Sequence, residues 1–310
     1  MDWTSFPREK VNCKLCASNT RELLSIQQTW PVSRCKKCGL IYLSERPDET
    51  ALEDMYNKDY YEKADVGYGG YVDNFKKYNK IFLKLFKKRA KDIRKFKGSG
   101  KLLEVGCAHG FLLDYLRNDG WDARGLEVSP LAAKYAQKEL NLDVFCGKIE
   151  EAGYKDNSFD VILLLDVLEH LHRPFQVLNE IGRILVPGGV LVVQCPWELT
   201  HWEELAEAFL KKIKPCSITA DAIPAHLYFF GPETLEGFLK KGNFSVFSRQ
   251  SGNYGAIRRH IKPTAVKVGS PLEQLGRYIY FRLGVQQLFY KIARLLGKGN
   301  GLIRYARFNK

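Results

Sequence analysis

The chain has 310 residues, 45% of them hydrophobic and 27% charged, enough apolar material for one large core with smaller attachments. No apolar run approaches the roughly eighteen residues of a membrane span, and the opening MDWTSFPREK has no apolar signal stretch, so the sequence predicts a cytoplasmic protein. The formal net charge of +13 is unevenly spread: Glu273 is the single acid in the arginine- and lysine-rich stretch 256–310.

Four of the eight cysteines fall as Cys13-x-x-Cys16 and Cys35-x-x-Cys38, with eighteen residues between the pairs. Two such knuckles put four thiolates around one tetrahedral Zn²⁺, and Gly39 suits the tight turn after the second. Two disulfides or a redox dithiol are the competing readings, but nothing marks a secretory context and no βαβ unit surrounds either pair. A Cys₄ site has no open position for a substrate, so the zinc is expected to be structural. Leu23, Leu24, Ile26, Trp30, Val32, Leu40, Ile41 and Leu43 would give this module, residues 1–43, a core too small to hold without metal. Cys107, Cys146, Cys195 and Cys216 are scattered singly and read as small hydrophobes.

Residues 44–98 bridge to the next module. Tyrosine and glycine dominate the first part. Phe75, Tyr78, Phe82, Leu85, Phe86, Ile93 and Phe96 then recur at helical spacing, predicting one amphipathic helix over 74–96 with a lysine-rich solvent face. Gly98-Ser99-Gly100 ends it.

The run Leu102, Leu103, Val105 lacks polar alternation and reads as a buried parallel strand, feeding a turn bounded by Gly106 and Gly110 and a helix carrying Leu112, Leu113 and Leu116. Such a strand-turn-helix seats nucleotide-like ligands, and Glu127, at the end of the next strand, lies where an acid reaches ribose hydroxyls. The dinucleotide fingerprint G-x-G-x-x-G is broken by Ala108 and Phe111. Further strands are predicted at 143–146, 159–165 and 190–195, with Pro174 starting a helix and Pro187-Gly188-Gly189 making a turn. This alternation predicts an α/β domain whose parallel sheet is covered on both faces.

Three ordered stretches carry a resemblance. Glu104-Val105-Gly106-Cys107-Ala108-His109-Gly110 matches E/D-x-G-C-x-x-G, the first motif of the class I S-adenosylmethionine-dependent methyltransferases. FDVILLLDVLEHLHRP (159–174) resembles their fourth-strand motif, and ILVPGGVLVVQCP (184–196) resembles their fifth strand with its Pro-Gly-Gly turn. The alternative is a Rossmann-like domain for another adenosine ligand or none. The resemblance implies a Rossmann-like sheet within 99–250 and S-adenosyl-L-methionine as cofactor. It implies cofactor binding by Glu104, Gly106, Cys107, Ala108, Gly110, Glu127, Val128 and Asp166, and by the backbone at Lys148 and Ile149, Lys148 standing where many relatives have an acid. Residues 44–98 resemble the segment that folds over the cofactor, bringing Tyr60, Tyr68 and Tyr71 near it; a linker with core-packed tyrosines is the other reading. Asp166, Glu169 and His170 resemble the acid-histidine arrangement of ubiquinone-pathway O-methyltransferases, which would suit a hard divalent cation, although Asp166 serves equally as a helix N-cap. The zinc module ahead of this domain resembles that of sugar-modifying and natural-product methyltransferases. A sugar or a glycan or lipid-linked saccharide precursor is therefore the implied small-molecule acceptor.

After the fifth strand, 196–230 reads as a substrate loop in which Trp197, His201, Trp202, Tyr228 and Phe229 make an aromatic pocket. His226 opens a stretch resembling the family's H-L-Y-x-F, and His226, His170 and Tyr228 are the catalytic candidates, a neutral imidazole suiting proton removal near pH 7. His226 could equally tie the loop down. A helix start at Pro232, a sixth strand at 245–249 and a closing strand at 301–306 follow. The basic, amphipathic remainder of 251–310 has three readings: packing on the core, lying on an anionic membrane surface, or tracking RNA phosphates, the last disfavoured by the lack of a recognisable RNA-binding module. An RNA methyltransferase and a silent zinc-ribbon docking protein are thus the alternatives to a small-molecule enzyme.

Overall fold

The computed structural model describes residues 6–58, 71–197, 223–252 and 301–309. The basic stretch 253–300, most of the predicted substrate loop with His201, Trp202 and Cys216, and Tyr60 and Tyr68 lie outside the described residues.

Five segments of the N-terminal part are strands: β1 (Arg8–Lys10), β2 (Arg21–Gln27), β3 (Trp30–Cys35), β4 (Ile41–Leu43) and β5 (Glu45–Pro47). Helices α1 (Glu49–Lys58), α2 (Tyr71–Lys77) and α3 (Asn79–Arg94) follow. The central domain runs β6 (Lys101–Val105), α4 (Phe111–Asn118), β7 (Asp122–Glu127), α5 (Pro130–Glu139), β8 (Val144–Cys146), β9 (Phe159–Leu165), α6 (Pro174–Ile184) and β10 (Leu185–Pro196). After β11 (Tyr228–Phe229) come α7 (Pro232–Lys241), β12 (Phe244–Gly252) and β13 (Gly301–Phe308).

Seven strands form one sheet in the order β8-β7-β6-β9-β10-β13-β12. The pairs among β8, β7, β6, β9 and β10 are parallel, whereas β13 runs antiparallel to both β10 and β12. This is the Rossmann-like sheet that the alternating pattern predicts. Side chains of a strand alternate between faces, so Val161 and Leu163 of β9 pack with α3, α4 and α5, while Ile162 and Leu164 pack with α6, α7 and the N-terminal module. Both faces are dry, which is why β9 and β10 read as continuous apolar runs.

Two boundaries differ from expectation. Instead of one helix over 74–96 there are α2 and α3, broken at Tyr78, whose ψ of 24° leaves the helical region. The break lets Phe75 stack flat on Phe111, with centroids 3.8 Å apart, and sets Tyr71 beside His109 at 5.6 Å. Aromatic packing across the chain outweighs helix continuity there. The closing strand is also longer than expected and is inserted between β10 and β12, its residue Phe308 filling the space beside Gly182 of α6.

The N-terminal module has its own antiparallel sheet, β2-β3-β4-β11, whose last strand comes from residues 228–229 far along the chain. Trp30, Val32, Leu40 and Leu43 are fully buried in it and continue into the core that also holds α6 and α7.

Candidate functional site

At the carboxyl end of β6 the chain must turn into α4 within a few residues. Gly106 (φ +75°) and Gly110 (φ +80°) take left-handed conformations, and a Cβ on Gly106 would meet Val167 Cγ2 at 2.5 Å. Ala108 also has a positive φ, of 50°. Glu127 holds this bend: its Oε2 accepts from the Ala108 N–H at 2.8 Å and its Oε1 from the Ser129 N–H at 2.8 Å. Burial pushes the Glu127 carboxyl up, against the pull of those backbone donors and the Val128 N–H. Val128, beside it, is 40% exposed and faces outward at the rim.

Glu104 is the penultimate residue of β6. It is buried, and among the described residues its Oε2 has no hydrogen-bond partner. Burial pushes its pKa up to about 8, with Arg89 pulling it down and Glu127 pushing it further up. Arg89 reaches the same region from α3. Its Nη2 donates to Gln194 Oε1, while Nη1 is buried with no hydrogen-bond partner among the described residues. Gln194 in turn donates from Nε2 to Asp166, at 3.2 and 3.1 Å. Asp166 has φ +59° and is not a helix N-cap; the short turn Leu168–His170 has Val167 at that position, with no side-chain cap. Burial, then Glu169, raises the Asp166 carboxyl well above its ordinary range, with Gln194, Arg89 and His226 opposing.

Arg89 and Gln194 are the residues that sequence reasoning missed. By charge Arg89 goes with the lysine-rich face of 74–96, yet it follows Phe86 by three and precedes Ile93 by four, which puts it on the apolar side. Gln194 is the lone polar residue in an otherwise apolar strand. Both signals were legible.

Tyr71, His109, Phe111 and Tyr135 cluster over the glycine turn. Desolvation raises the Tyr71 phenol, helped by Glu104, Asp166 and Cys107, and pushes His109 down to about 4. Cys107 is buried. Beyond β8, Ile149 is buried while Lys148 turns to α1, its Nζ 2.9 Å from Glu49 Oε1 and also paired with Glu53. The Lys148 N–H donates to Glu151 Oε2 at 3.0 Å and its carbonyl accepts from the Glu151 N–H at 3.0 Å, so the backbone expected to meet adenine at Lys148 is taken up by Glu151.

The histidines meet at the end of β9. His170 and His226 lie edge to face with ring centroids 4.7 Å apart. His170 Nδ1 is 2.9 Å from the Ala225 carbonyl, and burial, then His226, pushes its pKa down to about 3. Ligand atoms of Glu169, His170 and His226 all lie within 4.8 Å of one another. The acid-histidine group therefore forms with His226 as its third member, where the sequence suggested Asp166. Tyr228, expected beside them in catalysis, is buried, and its hydroxyl accepts from Arg46 Nη1 at 3.0 Å, toward the N-terminal module. Trp197 is partly buried against the same core.

The four knuckle cysteines converge as their spacing predicts. Cys13 Sγ is 3.4 Å from Cys38 Sγ, Cys16 Sγ is 3.5 Å from Cys35 Sγ, and all four lie within 4.8 Å. A zinc tetrahedron with Zn–S of about 2.3 Å has edges of roughly 3.8 Å, so the set fits such an ion. Backbone N–H groups of Leu15 and Cys16 point at Cys13, and those of Lys37 and Cys38 at Cys35, as thiolates require.

Residues 103–193 match the methyltransferase domain family. The chain is 34% identical over 136 residues to a probable phthiotriol/phenolphthiotriol dimycocerosates methyltransferase 2 of Mycobacterium ulcerans, covering 40% of this chain and 52% of that one. It is 24% identical over 157 residues to a mitochondrial ubiquinone biosynthesis O-methyltransferase of Schizosaccharomyces pombe, covering 48% and 53%. The chain thus spans about half the length of these curated relatives. A solved Thermotoga maritima structure described as a SAM-dependent methyltransferase, possible histamine N-methyltransferase, aligns with a TM-score of 0.48 at 18% identity, covering 77% of this chain and 96% of that one. Glycine turn, strand order and matched residues agree: the chain carries a class I S-adenosylmethionine-dependent methyltransferase domain.

Proposed function

We propose that this protein transfers a methyl group from S-adenosylmethionine to a hydroxyl of a small acceptor, with a sugar or saccharide precursor as the favoured class. The observation that carries the cofactor half is the pair Glu104 Oε2 and Arg89 Nη1, a carboxyl oxygen and a guanidinium nitrogen, electrostatically coupled, both buried and without a hydrogen-bond partner among the described residues. Leaving either so is costly, and an α-amino acid zwitterion would satisfy both at once. Glu127, already oriented by two backbone donors, has lone pairs left for ribose hydroxyls. Gly106, Cys107, Ala108 and Gly110 let the backbone approach the nucleoside, Val128 flanks it, Ile149 offers its backbone N–H to adenine while Lys148 is held by Glu151, and Tyr71 and Asp166 close the methionine side. The nearby buried carboxyls also suit a cation.

When bound, the cofactor supplies a methyl already activated on a sulfonium. The chain's own residues have then to align the acceptor, exclude water and take its proton. His226 is the proposed base. His170, kept neutral by burial and fixed by the Ala225 carbonyl, stands against it as a hydrogen-bonding and steric wall. Tyr228 acts by position, through Arg46. A second reading is favoured by the Glu169, His170 and His226 juxtaposition: a divalent cation there would polarise the acceptor hydroxyl in place of a base. The named relatives act on phthiotriol-type lipids and in ubiquinone biosynthesis, which supports a small hydroxylated acceptor without distinguishing saccharide from lipid. Cys13, Cys16, Cys35 and Cys38 are read as a structural zinc site.

Calorimetry with S-adenosylmethionine should give one site per chain. Incubation with a metabolite extract should yield products heavier by one methyl group, with and without chelator separating the two readings of the histidine site. A chain that neither binds the cofactor nor turns it over is a docking protein, and the enzyme reading falls.

A further inference from the structure

We infer that the Cys₄ module is a positioning part of the catalytic site, because it supplies the strand that seats His226; this rests on the reading of His226 given above. Residues 225–229 are threaded between two supports. On one side the turn at the end of β9 holds them: the Leu227 N–H donates to the Glu169 carbonyl at 2.8 Å, and His170 Nδ1 meets the Ala225 carbonyl at 2.9 Å. On the other, the Leu43 N–H donates to the Leu227 carbonyl at 3.0 Å, and Tyr228 and Phe229 pair with Tyr42 and Ile41 of β4. A two-residue strand such as β11 has too little pairing of its own to persist without that neighbour.

β4 emerges directly from the second knuckle. The Cys35 N–H donates to the Leu40 carbonyl at 2.8 Å, the Gly39 N–H to the Cys35 carbonyl at 3.0 Å, and Arg34 pairs with Ile41. Side chains lock the same joint. Arg46, buried, donates from Nη1 to Tyr228 and from Nη2 to the His172 carbonyl at 3.5 Å, pairs with Glu9 at 2.7 Å, and stands beside His172, whose Nε2 is 2.9 Å from the Pro47 carbonyl. The side chains on either side of β11, Leu227 and Phe230, are as buried as the strand itself. The cofactor cleft is built otherwise: Glu127, Ala108 and Ser129 bond within β6, β7 and the start of α5, with no residue of the module among them. Loss of the four-thiolate centre should therefore unseat His226 while sparing the cofactor site. A merely stabilising module would instead weaken both together.

The test is amide exchange of the zinc-loaded full-length chain and its Cys38→Ser variant, with calorimetry against S-adenosylhomocysteine. The expected result is protection of 225–230 falling about a hundredfold in the variant, with product affinity changed less than about threefold. In Tyr228→Phe, with zinc content unchanged, the same peptide should exchange about fivefold faster, and this variant decides the matter if Cys38→Ser does not fold. Protection of 225–230 retained in either variant, or product affinity lost in step with it, overturns the inference. Failure of the parent chain to bind S-adenosylhomocysteine would instead remove the methyltransferase reading, leaving the exchange result to judge the joint by itself.

Discussion

Glu127, Glu104 and Arg89 divide the proposed cofactor between them, and that division is measurable. Arg89→Met should weaken S-adenosylhomocysteine binding by about tenfold to a hundredfold, the worth of a charged hydrogen bond, yet leave methylthioadenosine, which lacks the amino acid, nearly unaffected. Glu127→Ala should weaken both ligands, and by more, because the carboxylate also holds the Ala108 and Ser129 N–H groups. Equal losses for the two ligands in Arg89→Met would place the amino acid elsewhere. Glu104 adds a proton signature. Its pKa of about 8 keeps it largely protonated at pH 7 in the free protein, and pairing with an ammonium favours ionisation. Binding near pH 7 should thus release a proton, and affinity should rise with pH up to about 8. Calorimetry in buffers of different ionisation enthalpy reads this directly, and Glu104→Gln should abolish it.

At the scale of elements, the N-terminal module sets a small buried core beside the four-thiolate cluster proposed to hold zinc. β2 leaves Leu23 and Ile26 more than half exposed, so its sheet depends on the dry side built by Trp30, Val32, Leu40 and Leu43 and on the knuckles. Metal analysis of purified protein should return about one zinc per chain, and strong chelation should release it with loss of the β2–β4 protection while β6–β10 stay folded. Helix α6 against β13 tests packing instead. A Cβ on Gly182 would meet Phe308 Cε2 at 2.3 Å, so Gly182→Ala should destabilise the chain by about 1–3 kcal/mol in denaturant unfolding, as overpacked cores do. No loss would mean that β13 does not sit where it is described.

For the whole molecule, buried ionisable groups set the pH range of stability. Glu104 has a folded pKa raised from 4.5 to about 8, so the folded state holds a proton that the unfolded chain releases between those values, and burial raises Asp166 and Glu127 in the same direction. That contribution is fully present below about 4.5 and is lost as pH rises through about 8. His109 and His170 act oppositely, with folded pKa values of about 4 and 3 against 6.5, so they cost stability only as pH falls below 6.5. Above 6.5 the histidines are neutral in both states and cannot compensate. The melting temperature of the free protein should therefore decline from pH 6.5 to 8, and saturating S-adenosylmethionine should flatten the decline. A profile unaffected by ligand would disconnect these carboxyls from the cofactor.

Much of this was legible in the residue order because it depends on local rules. Continuous apolar runs mark strands buried on both faces, a left-handed bend wants Gly106 and Gly110, and two C-x-x-C pairs can bring four sulfurs together whatever surrounds them. What only the tertiary structure decided are the juxtapositions of residues distant in the chain. It put Arg89 beside Gln194 and Asp166, broke the helix at Tyr78 so that Phe75 could stack on Phe111, and gave His170 the partner His226. It also turned Tyr228 toward Arg46 and made β11 an edge of the N-terminal sheet. Periodicity reports which face of an element is apolar, but not which other element covers it, and that is settled only when all the faces are packed at once.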